Sequence, residues 1–348
     1  MKNLILIAMA LLFSSLEVYS QDFAAHLKNG DKLYFHVTDT ARRNVEIIRP
    51  NALNESQVSL PSGHLEIPST VKYKDKVYYV MAIGNNAFAD ADGITSVTIP
   101  SSILSIGESA FSGCRNLESI IFPSCKPKIG SKAFDYCKAL SSVSFGSDWT
   151  SIELQMFASS ESLTAVFIPA RVVKLTGVKQ LPSLQRIDVD ANSKAFSSRD
   201  GMLYSKDGKT FYACPNARMG DVAILDGTEK ILDEAFKGCT LVKSLLLPAS
   251  IREFAFDEFA SCTSLTRIIM NSEIPPMTAK WDGSTVFSLK APTQNTVVYV
   301  PGSLLKRYRT TICNKTGTYE TLQGKRAVTL NEVALTGKQA IRKTPKSF

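Results

Sequence analysis

The chain has 348 residues, 44% hydrophobic, 21% charged and 9% aromatic, which excludes wholesale disorder and allows a sizeable buried core. Seven cysteines in that length are too few for a disulfide scaffold. The net charge of +8 suits a nucleic-acid binder until it is located: residues 305–348 hold ten Lys and Arg against two Glu, the whole excess, so residues 1–304 are neutral.

In chain order, residues 1–20 (MKNLILIAMALLFSSLEVYS) carry an early lysine, an apolar run from Leu4 to Phe13, and small residues before Gln21. This is the pattern of a secretory signal peptide, and the run is too short to span a bilayer. The expected mature chain starts near Gln21 and is exported. Residues 21–80, with the β-prone runs LYFHV (33–37) and VYYVM (77–81), read as an N-terminal β cap.

From residue 81 to 270 a repeat takes over. Phenylalanine recurs at 88, 111, 134 and 157 and again at 236 and 259, in steps of 23. Five positions earlier stand Ile83, Ile106, Ile129, Ile152, Ile231 and Phe254; six positions later stand Ile94, Leu117, Leu140, Leu163, Val242 and Leu265. Each copy ends in a short β-type run such as VTIP (97–100), IIFP (120–123) or VFIP (166–169). A degenerate copy with Leu175, Leu184 and IDV (187–189) brings the expected strands to seven. Within each run two side chains point inward and one outward, as in a half-buried strand. One copy buries roughly 10 kcal/mol of apolar side chains but costs about 35 kcal/mol to order. Single copies therefore cannot fold alone; they must stack as coils of a solenoid.

Residues 190–215 interrupt the period. Met202–Ser205 and Thr210–Ala213 flank Lys206-Asp207-Gly208-Lys209, which predicts a β-hairpin with a tight turn. Gly208-Lys209-Thr210 resembles the end of a phosphate loop, but Leu203 stands where that motif needs glycine. Residues 271–324 read as a C-terminal cap. The basic stretch 325–348, ending in Arg342, Lys343 and Lys346, reads as a disordered tail able to attract polyanions by charge.

Cys114, Cys137, Cys239 and Cys262 share one repeat position, three residues after the phenylalanine, which points to buried packing. Disulfides between these stacked cysteines are disfavoured because parallel side chains point the same way. All three histidines (His26, His36, His64) precede the repeats, so neither a zinc site nor a serine triad is expected, and no cofactor motif occurs. The acid pairs Asp226/Glu229 and Asp257/Glu258 read as solvated surface groups.

The unit I-G-x-x-A-F-x-x-C-x-x-L-x-x-I-x-I-P, clearest at Ile106–Pro123, resembles the leucine-rich repeat of BspA-like bacterial surface proteins. The resemblance extends over residues 60–305, with LEIPSTVKYKDKVYYVMAIGNNAF (65–88) as the lead-in and VVYVPGSLLKRY (297–308) within the exit cap. It implies a mainly β, right-handed leucine-rich repeat solenoid with short helical or 3-10 turns, β caps and one hairpin insertion. It also implies a monomeric, non-enzymatic module without cofactor, at the cell surface, secreted or periplasmic. Such a module would bind host or bacterial proteins; the alternative is a structural envelope component with no external ligand. On a repeat scaffold the binding side chains are those displayed outward. One outward position holds Thr98, Ile121, Ser144, Phe167, Asp188, Leu246 and Ile269. Its neighbour holds Ser96, Ser119, Ser142, Ala165, Arg186, Ser244 and Arg267. The candidate protein-binding residues are the first row with Arg186 and Arg267.

Overall fold

The computed structural model describes residues 22–27, 30–49, 60–255, 258–274, 276, 279–281, 284–286, 296–301 and 330–333. The expected signal peptide lies outside these residues, as does most of the expected C-terminal cap and basic tail. The chain divides into two compact units: residues 1–116 with 127–134, and residues 117–126 with 135–348.

The first unit begins as an antiparallel meander of Asp22–His26, Lys32–Asp39 and Asn44–Ile48. KLYFHVTD forms a strand because alternate residues Leu33, Phe35 and Val37 are apolar and buried. Phe23 stacks on Phe35 and Tyr73 at 5.4 and 4.3 Å between ring centroids, closing the end of the core. Lys76–Ile83 then changes the pattern. It pairs antiparallel with Thr70–Tyr73 but parallel with Asn44–Ile48 and with Ser105–Ile106, which continues parallel to Lys128–Ile129. A second sheet starts with Gly63–Glu66 parallel to Ile94–Thr98.

The repeated phenylalanines stack one coil above another. Phe88, Phe111 and Phe134 are buried with centroids 5.0 and 5.4 Å apart. The glycines after Ile106 and Ile129 lie against the preceding coil: a Cβ on Gly130 would come within 2.6 Å of the Glu108 amide nitrogen. Stacked backbones at that spacing leave no room for a side chain.

The second unit repeats this construction. Parallel pairs join Ser119–Ile121 to Ser142–Ser144 and Ala165–Ile168 to Arg186–Val189. Further along, Gly220–Ala223, Val242–Leu247, Arg267–Met270, Val297–Pro301 and Leu330–Val333 form one parallel sheet. Leu330–Val333 is thus a paired strand within the stretch expected as a disordered tail, because the open edge of Val297–Pro301 offers it backbone partners. On the other side, Ser151–Glu153 pairs with Lys174–Thr176 and Thr210–Ala213 with Lys230–Ile231. The helical turns among the described residues are two 3-10 segments, Leu154–Phe157 and Val178–Gln180. Trp149, fully buried, fills the space beside Phe122 and Phe145 and donates its indole N–H to the Pro123 carbonyl at 3.0 Å.

The interruption at 190–215 departs from a simple hairpin insertion. Phe196–Arg199, Met202–Ser205 and Thr210–Ala213 form an antiparallel set, yet Thr210–Ala213 also runs parallel to Lys230–Ile231. It therefore serves as the side strand of an additional coil, whose outer strand is Gly220–Ala223. That makes eight strands of the repeat type where the sequence reading counts seven. Phe211 stacks on Phe236 at 5.1 Å, continuing to Phe259 at 5.3 Å. The turn is a hairpin turn: Gly208 has φ +74°, and the Asp207 carboxylate accepts from the Lys209 amide and the Ser205 hydroxyl.

Candidate functional site

The candidate site is the outward side of the short parallel strands. In most of them buried side chains flank the outward residue on both sides, so the displayed group is held by a rigid strand rather than a loop. In the second unit, Ile121 stands beside Ser144, and Phe167 beside Asp188. Their flanking residues Ile120, Phe122, Val166 and Ile168 are buried, while Ile121 and Phe167 are each 50% exposed. In the larger sheet Leu246 pairs with Ile269; Leu246 is 38% exposed between buried Leu245 and Leu247. Ile269 is half-buried between Ile268 and Met270.

The polar positions follow the same register. Arg186 stands beside Ala165, and Arg267 beside Ser244. Arg186 reaches along its own strand to bind the Asp188 carboxylate at 2.7 Å, which holds its guanidinium above its ordinary pKa. Ser244 donates to Asp221 at 2.5 Å. Thr98 belongs to the first unit, half-buried beside Glu66.

Three strands of this face are missing from the sequence reading. Gly220–Ala223 places Asp221 beside Ser244 and Ala223 beside Leu246, so Leu246 is preceded in its row by Ala223 and not by Asp188. Tyr299 follows Ile269 in the same row. Gly63–Glu66 places His64 beside Ser96 in the first unit. The signal for Gly220–Ala223 was the alternation of Val222 and Ile224, hidden because the repeat spacing there is 25 rather than 23.

His64 Nδ1 lies 2.7 Å from the Ser96 hydroxyl, a serine–histidine contact that the sequence alone did not bring together. The contact is exposed and joins two neighbouring parallel strands of one sheet. His36 pairs with Asp22 at 2.8 Å on the far meander. Among the described residues no group of three or more metal-ligating side chains comes together. No helix among them is long and apolar enough to cross a membrane.

The cysteines at the repeat position are buried. Burial pushes the Cys114 and Cys262 thiols up to about 12. Each also has a structural role, since Cys114 donates to the Phe88 carbonyl at 3.1 Å and Cys262 to the Phe236 carbonyl at 3.6 Å. Glu258 overturns its reading as a solvated acid. It is 4% exposed, stands where four other coils carry alanine (Ala87, Ala110, Ala133 and Ala235), and accepts the Phe236 N–H at 2.7 Å. Burial pushes its carboxyl up to about 8, against the pull of that N–H and of Lys179.

Six copies of the BspA-type leucine-rich repeat match residues 81–197 and 207–280. No curated protein matches the chain. Among solved structures, the pneumococcal vaccine antigen PcpA is 19% identical, with 83% of this chain and 96% of that chain covered at a TM-score of 0.49. A leucine-rich cell surface protein from Faecalibacterium prausnitzii is 20% identical, covering 91% and 96% with a TM-score of 0.42. A leucine-rich repeat protein from Bacteroides ovatus is 21% identical, covering 78% and 77% with a TM-score of 0.43.

Proposed function

Because this chain belongs to the BspA-type leucine-rich repeat family, with the repeat matched over more than half its length, we propose that it is a non-enzymatic protein-binding module. In this reading it acts outside the cytoplasm, at the bacterial cell surface, where it adheres to host or bacterial proteins. The observation that carries the reading is the pair of half-exposed large apolar side chains, Ile121 and Phe167, on strands whose flanking residues are fully packed. Apolar groups held rigidly in water gain from being covered by a partner, and an aromatic group is the usual anchor. Leu246 and Ile269 extend the apolar contact, and Ser144, Asp188, Arg186 and Arg267 supply polar contacts in the same unit, while Thr98 is the corresponding outward residue of the first unit.

The test uses residues 21–348 and the variant Ile121→Ser, Phe167→Ser, Leu246→Ser, Ile269→Ser as paired baits. Each is exposed to host extracellular-matrix extract and to the producing cell's envelope extract. The expected result is a saturable partner held by the wild type and weakened at least tenfold by the variant, whose circular dichroism and melting remain those of the wild type. A partner retained by the folded variant would mean that another face binds. No partner from either extract would favour a structural envelope component instead.

A further inference from the structure

The core of the second unit contains a thiol pair that the repeat pattern does not explain. Cys239 is at the usual position, three residues after Phe236. Cys214 is three residues after Phe211, but its backbone is not in the equivalent place. Its N–H donates to the Ala235 carbonyl at 2.9 Å, the bond that Phe88 makes to Ala110 in a regular coil at 2.8 Å. Cys214 thus occupies the backbone position of a phenylalanine, one coil before Cys239, and the two thiols are not stacked equivalents. Parallel stacking disfavours a disulfide between Cys239 and Cys262; it does not apply to Cys214 and Cys239.

The two sulfurs converge on one spot. Both thiols donate to the Pro215 carbonyl at 3.6 Å, and Cys239 also donates to the Cys214 carbonyl at 3.4 Å. A cation completes the cluster. Lys179, projecting from the 3-10 turn Val178–Gln180, donates to the Cys214 and Ala235 carbonyls at 2.6 Å each and lies 3.9 Å from Cys239 Sγ. Glu258, Cys262 and Tyr204 are further titratable groups around it.

We propose that Cys214 and Cys239 are a disulfide-forming pair, closed when the chain meets an oxidising thiol–disulfide partner, with Lys179 positioned to keep Cys239 as the attacking thiolate. The Cys239 thiolate attacks one sulfur of the oxidant's disulfide, forming a mixed disulfide and releasing one oxidant thiolate. Cys214, its proton lost, then attacks Cys239 Sγ and expels the second oxidant thiolate. Two protons leave the protein thiols, two reach the departing thiolates, and the oxidant's disulfide is reduced by two electrons. The division of roles agrees with the local electrostatics. The hydrogen bond from Cys214, with Lys179 beside it, holds Cys239 below the ordinary thiol range. The same thiol–thiol bond and burial hold Cys214 well above it.

The experiment takes the full chain, reduced and then equilibrated in oxidised and reduced glutathione. One arm is kept folded throughout, and one is unfolded in urea and refolded in the same buffer. Remaining thiols are alkylated, and the protein is cut with trypsin without reduction. The expected product is peptide 210–218 (TFYACPNAR) joined to 238–243 (GCTLVK), and the join disappears on reduction. The exposed Cys125 reports that the oxidant was active by becoming glutathionylated. Should both peptides be recovered separately, alkylated or glutathionylated, in both arms while Cys125 is modified, the pair is packing only and the proposal fails.

Discussion

Two backbone positions in the coils of Phe88, Phe111, Phe134 and Phe236 carry positive φ, and the residues there differ in how well they suit it. Asn86, Ser109, Lys132 and Glu234 hold the first at φ between 52° and 64°. Asp90, Gly113, Tyr136 and Gly238 hold the second. Tyr136 has φ 57°, yet its side chain is 58% exposed and packs little. Left-handed geometry costs a non-glycine residue roughly 1–2 kcal/mol, while glycine's extra freedom when unfolded costs about 0.5–1 kcal/mol. Tyr136→Gly should therefore leave stability unchanged or raise it by up to ~1 kcal/mol. Gly130→Ala should lower it by several times as much, because the new Cβ would meet the Glu108 backbone and not a movable side chain. Urea melts of the two variants check the contrast; equal effects would mean that coil spacing adjusts freely.

Glu258 makes a sharper prediction at the same scale. Its folded pKa of about 8 is far above an unfolded glutamate. The folded state binds the proton more tightly, so the contribution is fully present below about pH 4.3. It is lost as the pH rises toward 8, where the charge must be buried beside Lys179 and Asp233. Glu258→Gln keeps an acceptor for the Phe236 N–H without the charge. Stability measured from pH 5 to 9 should fall by a few kcal/mol in the wild type and stay nearly level in the variant. Parallel curves would show that Glu258 does not titrate in this range.

At the scale of elements, the regular coils were legible because each one needs the same side chains at the same places. Isoleucine and phenylalanine fill the core, glycine admits the neighbouring backbone, and the outward residue is free to vary. That freedom is why the binding face could be placed by register while no ligand could be read from it. The additional coil was not legible. Phe211 and Cys214 copy the Phe-x-x-Cys spacing, but the step to Phe236 is 25 and the coil's side strand doubles as a hairpin strand. Trp149 was silent for a different reason, since it packs where other coils have no aromatic and so leaves no periodic trace. The strand Leu330–Val333 was hidden by the charges around it, although it covers the edge of Val297–Pro301. Open parallel edges recruit other chains. A chain ending at residue 324 should therefore self-associate with concentration in light scattering, where the full chain does not. A truncated chain that stays monomeric would show that this edge needs no cover.

For the whole molecule, charge and apolar display are segregated along the sequence, which separates two modes of binding by experiment. Residues 1–304 are neutral, and the entire +8 resides in residues 305–348. Attraction of the C-terminal stretch to polyanions is screened within about 10 Å at 0.1 M salt and about 3 Å at 1 M. Burial of Ile121, Phe167, Leu246 and Ile269 by a partner is not weakened by salt in this way. Capture through the repeat face should therefore change less than threefold in Kd between 0.1 and 1 M NaCl. It should also survive replacement of Arg342, Lys343 and Lys346 by glutamine. Retention on an immobilised acidic polysaccharide should collapse under either change. A protein partner that is lost at high salt, or lost with the three C-terminal charges, would transfer the binding function from the repeat face to the basic stretch.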